Sequence, residues 1–211
     1  MTLGLKTTVQ KKLIDYFSEN DKRYIKIGIL GTHNSGKTTL GHTIMSYLKE
    51  HHVIVGWVSE IVRDCPFPVN ERASFHAQLW ILNSQINKEI EEQTRNNVVV
   101  TDRTVIDNFA YARRASILNK EYRKNIKVLE MICKNWVDTY DFLFFTQRTK
   151  SPIENDNFRS TDLKFQIEID QMIRRIIRDW EIRTIELSGS NEERLDTVLD
   201  AFNKYPKLNL D

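Results

Sequence analysis

The chain has 211 residues, 40% hydrophobic and 28% charged, and 31 Lys and Arg against 29 Asp and Glu leave a net charge of +2. That size and balance fit one α/β domain with a single sizeable core and exclude the bulk basic field of a dedicated nucleic-acid binder. No apolar run approaches the roughly 20 residues of a membrane span, residues 1–20 lack an apolar signal core, and Cys65 and Cys133 are too far apart to suggest a disulfide framework or zinc site, so a cytoplasmic protein with free thiols and no membrane partner is expected.

In chain order, Val9, Leu13, Ile14, Tyr16 and Phe17 predict an amphipathic helix over 7–19, either a cover for the sheet or a contact with a partner or a second copy, as in a dimer. Residues 24–30 read as a buried β-strand. Gly31-Thr32-His33-Asn34-Ser35-Gly36-Lys37-Thr38 then fits Gly-x-x-x-x-Gly-Lys-[Ser/Thr], the phosphate-cradling P-loop, and Leu40, Ile44 and Leu48 start a helix behind it. Strand, glycine loop and helix N-terminus in that order aim backbone N–H groups and the positive end of the helix dipole at an anion.

Gly31, Thr32, His33, Asn34, Ser35, Gly36, Lys37, Thr38 and Thr39 are therefore the expected nucleotide cradle. Lys37 would meet the β- and γ-phosphates, and Thr38 would give its hydroxyl to Mg²⁺. Asn34 is among the few non-glycine residues that tolerate the left-handed region. His33 faces either the terminal phosphate or, as expected of a loop position, solvent.

Further along, Val53–Glu60 reads as a strand from the interior of a parallel sheet, and Cys65-Pro66-Phe67-Pro68 interrupts the chain. A helix follows from Glu71 to about Arg95, with Phe75, Leu79, Leu82, Ile86 and Ile90 on its apolar face. Residues 98–102, 141–146 and 184–188 are further strands, 105–118 and 122–138 are helices, and residues 149–161 form a polar loop with the character of a lid. Thr161 or Asp162 caps a helix to Trp180 whose stripe is Phe165, Ile169, Met172, Ile173, Ile176 and Trp180, and a last helix runs from Glu192 to about Asn203.

Alternating strands and helices imply a five-stranded, mostly parallel sheet flanked by helices, with ligands at the carboxyl ends of the strands. Glu60, Asp102-Arg103, Thr146–Arg148 and Ser188-Gly189 all fall at such ends. Asp102 is the expected metal carboxylate with Thr38, and Glu60 competes with it for the acceptor hydroxyl. Arg103 and Arg63 are expected at the acceptor, Arg148 and Arg159 on the lid over the triphosphate, and Gln78 and Trp80 in the acceptor wall, where an amide reads a base edge and an aromatic stacks. Arg174, Arg175 and Arg178 read as a solvated face, with a nucleic-acid contact as the alternative.

Gly31–Thr38, Glu60 with Arg63, Val99–Thr104 with Asp107 and Tyr111, Arg159–Asp162, and Leu187–Ser190 with Arg194 together resemble the P-loop kinases of nucleosides and nucleotides, most nearly the small ATPase domains related to nicotinamide riboside kinase. The resemblance covers about residues 24–203 and implies a kinase-like P-loop NTPase fold. It also implies ATP with Mg²⁺, a small nucleoside- or nucleotide-type acceptor between the second and third strands, an arginine-bearing lid over about 148–162, and the Ser188-Gly189 loop against the adenine. It departs from thymidylate kinases in having Ser59-Glu60-Ile61 for Arg-Glu-Pro, and from deoxynucleoside kinases in having Asp102-Arg103-Thr104 for Glu-Arg-Ser. A nucleotide-dependent switch acting on a protein or lipid, and a kinase of nucleic-acid ends, are the alternatives. The chain is too short to add the helical lid domain of an AAA+ motor.

Overall fold

The computed structural model describes residues 24–69, 73–119, 122–148 and 162–204. The expected helix over 7–19, Arg159 and all but the ends of the expected lid lie outside the described residues. Five strands, β1 Ile25–Leu30, β2 Val55–Val58, β3 Val98–Asp102, β4 Phe142–Thr146 and β5 Ile185–Leu187, form one sheet in the order β2-β3-β1-β4-β5, and every pairing is parallel. The six described α-helices are α1 Lys37–Glu50, α2 Phe75–Gln93, α3 Val105–Leu118, α4 Ile126–Val137, α5 Leu163–Asp179 and α6 Asn191–Lys204. No described helix is long and apolar enough to cross a membrane.

The strands sort their side chains by alternation. Ile25, Ile27 and Ile29 of β1, with Val98, Val100, Phe142 and Phe144, pack against Leu40, Ile44 and Leu48 of α1 and Val198 and Phe202 of α6. Leu30, Leu143 and Phe145 face the other way, into a larger cluster with Leu82, Ile106, Phe109, Leu129, Phe165, Ile169 and Ile173 from α2 to α5. Both faces are covered, which is why the central strands β1, β3 and β4 are apolar throughout apart from Lys26, Gly28 and their polar C-terminal ends. Asp162 caps α5, its carboxylate accepting from the Lys164 N–H at 2.8 Å.

Two expectations need correction. The second strand is shorter than Val53–Glu60 and lies at the sheet edge, with Ile54 60% exposed, because only β3 pairs with it. The second helix starts at Phe75, capped by Ser74, and Ile90 on its expected apolar face is 40% exposed. Phe75, Leu79, Leu82 and Ile86 of that face do pack into the core, and the buried surface also carries Gln78, Gln85 and Glu89 between Ala77, Ile81 and Leu82.

That polar stripe has partners on strand β1 and helix α4. Lys26 Nζ meets Glu89 Oε2 at 2.9 Å with both side chains fully buried. Glu89 also accepts from Trp136 Nε1 at 2.7 Å, Tyr140 Oη at 2.6 Å and Gln85 Nε2 at 2.8 Å. The ammonium lies 4.5 Å from the Trp136 ring centre and 4.6 Å from that of Tyr140. Glu89→Leu is expected to cost about 3–5 kcal/mol by leaving a buried cation alone, with Lys26→Met/Glu89→Leu regaining most of it. Urea unfolding at constant m-value checks this; a single substitution as stable as the parent would refute it.

Candidate functional site: the P-loop crevice

The loop between β1 and α1 takes the backbone a phosphate cradle needs. Gly31, Asn34 and Gly36 all have positive φ, at +143°, +57° and +82°. A Cβ on Gly31 would stand 2.6 Å from the Thr146 carbonyl oxygen, so β4 leaves no room for a larger residue there.

The loop is fastened from outside by four elements. The Gly31 N–H donates to Asp107 Oδ1 at 2.9 Å, while Asp107 Oδ2 accepts from the Thr104 N–H at 2.8 Å in a capping box that starts α3. Thr32 Oγ1 donates to the Gln166 carbonyl at 3.3 Å, and Gln166 Nε2 donates to the His33 carbonyl at 2.8 Å. Ser35 Oγ meets Thr146 Oγ1 at 2.7 Å. Arg194 Nη1 of α6 donates to the Ser35 carbonyl at 2.8 Å.

Lys37 is buried and folds back over the loop, donating to the Thr32 carbonyl at 2.7 Å. Burial, with Arg103 nearby, pulls its ammonium down to about 8, against Asp102, Asp107 and Glu60. Thr38 Oγ1 donates to Asp102 Oδ2 at 2.5 Å, so the two expected metal ligands stand together. Their hard oxygen donors suit Mg²⁺, which takes one or two protein oxygens and completes its shell with phosphates and water.

On the opposite face of β3, Arg103 Nε donates to Glu60 Oε1 at 2.8 Å and Arg63 Nε to Glu60 Oε2 at 3.0 Å. Arg103 also sits over the Tyr111 ring at 5.3 Å. Its φ of +85° is left-handed in a non-glycine residue.

The structure therefore brings together Gly31–Thr38, Glu60, Arg63, Asp102 and Arg103. Thr39 is exposed at the start of α1, and Ser188 and Gly189 are exposed after β5. Arg148 is half-buried beyond β4. Gln78 is buried on α2, while Trp80 packs beside Val58, Ile61 and Val99 under β2. His33 departs from the expected solvent-facing position: its ring is buried, Nδ1 lies 3.1 Å from Tyr111 Oη, and it stacks on Phe165 at 5.8 Å. The α3 and α5 helices packed beside the loop leave that ring no path to water. Arg174 pairs with Asp170 and Glu186 on the surface, and Arg178 is exposed beside Asp179.

The fastenings from Gln166 and Arg194 carried no assigned role in the sequence. Gln166 interrupts an apolar helix stripe, and Arg194 puts a cation in the first turn of a helix, where the dipole favours acids; both oddities are legible signals.

Residues 26–194 match the model of an AAA domain family. The chain belongs to that family. No curated protein matches it. Among solved structures it is similar to NadR in complex with NR, at TM-score 0.66 and 14% identity over 90% of this chain, although the chain spans only 52% of that protein. It is also similar to deoxyadenosine kinase from M. mycoides with dCMP and dCDP, at TM-score 0.64 and 13% identity over 85% of this chain and 100% of that one. Thymidylate kinase from Candida albicans superposes at TM-score 0.60 and 14% identity, over 86% of this chain and 92% of that one. At such identities the likeness is one of fold, a kinase-like P-loop fold shared with the nucleoside and nucleotide kinases.

The lowered Lys37 proton affinity sets a pH dependence. A polyphosphate beside the ammonium raises its pKa, so binding favours the protonated form. ADP affinity is expected to be level below a pH of about 8 and to fall above it, by up to about tenfold per unit. Calorimetric titration on both sides of that point checks it; affinity that stays level through alkaline pH would refute it.

Proposed function

We propose that this chain is an ATP-dependent kinase that transfers the γ-phosphoryl group to a small nucleoside- or nucleotide-type acceptor. The observation that carries the reading is the strand end of β3, where Asp102 bonds Thr38 on the P-loop side and Arg103 bonds Glu60 on the other. One crevice thus has a phosphate-and-metal half and a separate charged half fit for a second substrate.

In this reading Gly31–Thr39 cradle the phosphates and Lys37 supplies positive charge to them. Thr38 and Asp102 would hold Mg²⁺, which when bound neutralises charge on the transferred group. Glu60 receives the acceptor hydroxyl, with one oxygen fixed by Arg103 and the other by Arg63. Arg103 also faces the migrating group, and Arg148, with Arg159, contributes from the lid side. In the same reading Gln78 would read an acceptor base edge, and Ser188 and Gly189 would contact the adenine. The similar structures support the class of acceptor, since NadR is in complex with NR and the deoxyadenosine kinase with dCMP and dCDP.

A second reading, a nucleotide-dependent switch, draws on the same cluster: both Glu60 oxygens are already bonded to arginines. Mass spectrometry after incubation with Mg-ATP and a panel of nucleosides, nucleoside monophosphates and nicotinamide riboside separates the two. A product heavier by one phosphoryl group is expected; ADP alone would favour the switch. Glu60→Gln is expected to lower transfer about 10²- to 10⁴-fold while ADP binding stays intact. Unchanged transfer would remove Glu60 from the mechanism.

A further inference from the structure

Arg194 is 7% exposed, in the first turn of α6 behind the P-loop. Its Nη1 donates to the Ser35 carbonyl at 2.8 Å and lies 3.0 Å from where a Cβ of Gly36 would stand. Its Nε is buried with no hydrogen-bond partner. Among the described residues no carboxylate pairs with it, and burial lowers its proton affinity with nothing acidic opposing. A guanidinium does not shed its proton in a protein, and a buried ion without a counter-ion is destabilising. A helix N-terminus makes that cost larger.

The geometry explains what such a group is for. The Ser35–Gly36 peptide is trans and planar, so its C=O and N–H point in opposite directions. With Arg194 holding the carbonyl from outside, the Gly36 N–H is turned away from α6, toward the cradle. A charged donor on the carbonyl also polarises the peptide and strengthens its N–H as a donor. Resting on the reading of this loop as a nucleotide site, we propose that Arg194 is a positioning residue for the nucleotide's polyphosphate. It locks the Ser35–Gly36 peptide with its N–H inward and holds behind it a positive charge that the polyphosphate neutralises.

The test is calorimetric binding of ADP and of inorganic tripolyphosphate to the full chain, across a series of salt concentrations. Arg194→Met is expected to weaken both ligands about 10- to 100-fold and to flatten the dependence of affinity on salt. Arg194→Lys, which keeps the charge and loses the planar fork, is expected to weaken them about threefold to tenfold with the salt dependence kept. Unchanged affinity in either variant overturns the proposal. So does weaker binding in Arg194→Met with an unaltered salt slope, which marks a purely structural contact. Should Arg194→Met fail to fold, Arg194→Lys alone decides. A parent protein that binds neither ligand overturns the nucleotide reading itself, whereas a parent that binds both and a Met variant that matches it overturn only the role of Arg194.

Discussion

A phosphate cradle made of backbone requires that a run of consecutive peptides keep their N–H groups inward. The carbonyls and side chains of that run, and the N–H that opens the loop, then point outward and need partners there, because buried backbone polar groups left unpaired are costly. In this chain Asp107 takes the Gly31 N–H, Gln166 serves Thr32 and His33, Thr146 takes the Ser35 hydroxyl and Arg194 the Ser35 carbonyl. These four come from α3, α5, β4 and α6. The loop's shape is thus a property of the whole fold, and the helices on both faces of the sheet are fixed in part by their duty to it.

The inward half of this arrangement was legible in the sequence. Gly31–Thr38 has a fixed spacing because phosphate geometry is fixed, and Asp102 ends a strand and Glu60 closely follows one, strands whose apolar runs announce them. The outward half was hardly legible, since its partners lie up to 159 residues from the loop and obey no local period. The same blindness explains what was missed on the second helix. Periodicity assigns the buried face to Leu and Ile, yet α2 buries Gln85 and Glu89, whose partner Lys26 lies 63 residues from Glu89. His33 went astray for the same reason: only the packing of Tyr111 and Phe165 makes a loop histidine an interior one. The edge position of β2 followed from strand order, which no single segment encodes.

The end of β3 divides the crevice. Asp102 follows Val98 and Val100 to the α1 face and meets Thr38, while Arg103, one residue past the strand and left-handed, turns to Glu60 and Tyr111. Two consecutive residues therefore serve two halves of one site with no loop between them to add slack. Phosphoryl transfer, the proposed reaction, depends on positioning together with electrostatic stabilisation, and a strand end positions side chains more rigidly than a loop.

The left-handed Arg103 is the point where this division carries strain, on the order of 1–3 kcal/mol for a non-glycine residue. Its surroundings over-determine it. The Arg103 N–H donates to the Ile29 carbonyl at 3.0 Å, extending the β1–β3 ladder one residue past Asp102. Its carbonyl accepts from Gln85 Nε2 at 3.4 Å, and that same amide donates to Glu89. A continuous buried path thus runs from Lys26 at the start of β1, through Glu89 and Gln85, to the backbone of Arg103. An apolar α2 face would pack the core equally well but offer Arg103 no donor. The polar stripe on α2 therefore supports the Arg103–Glu60 side of the crevice.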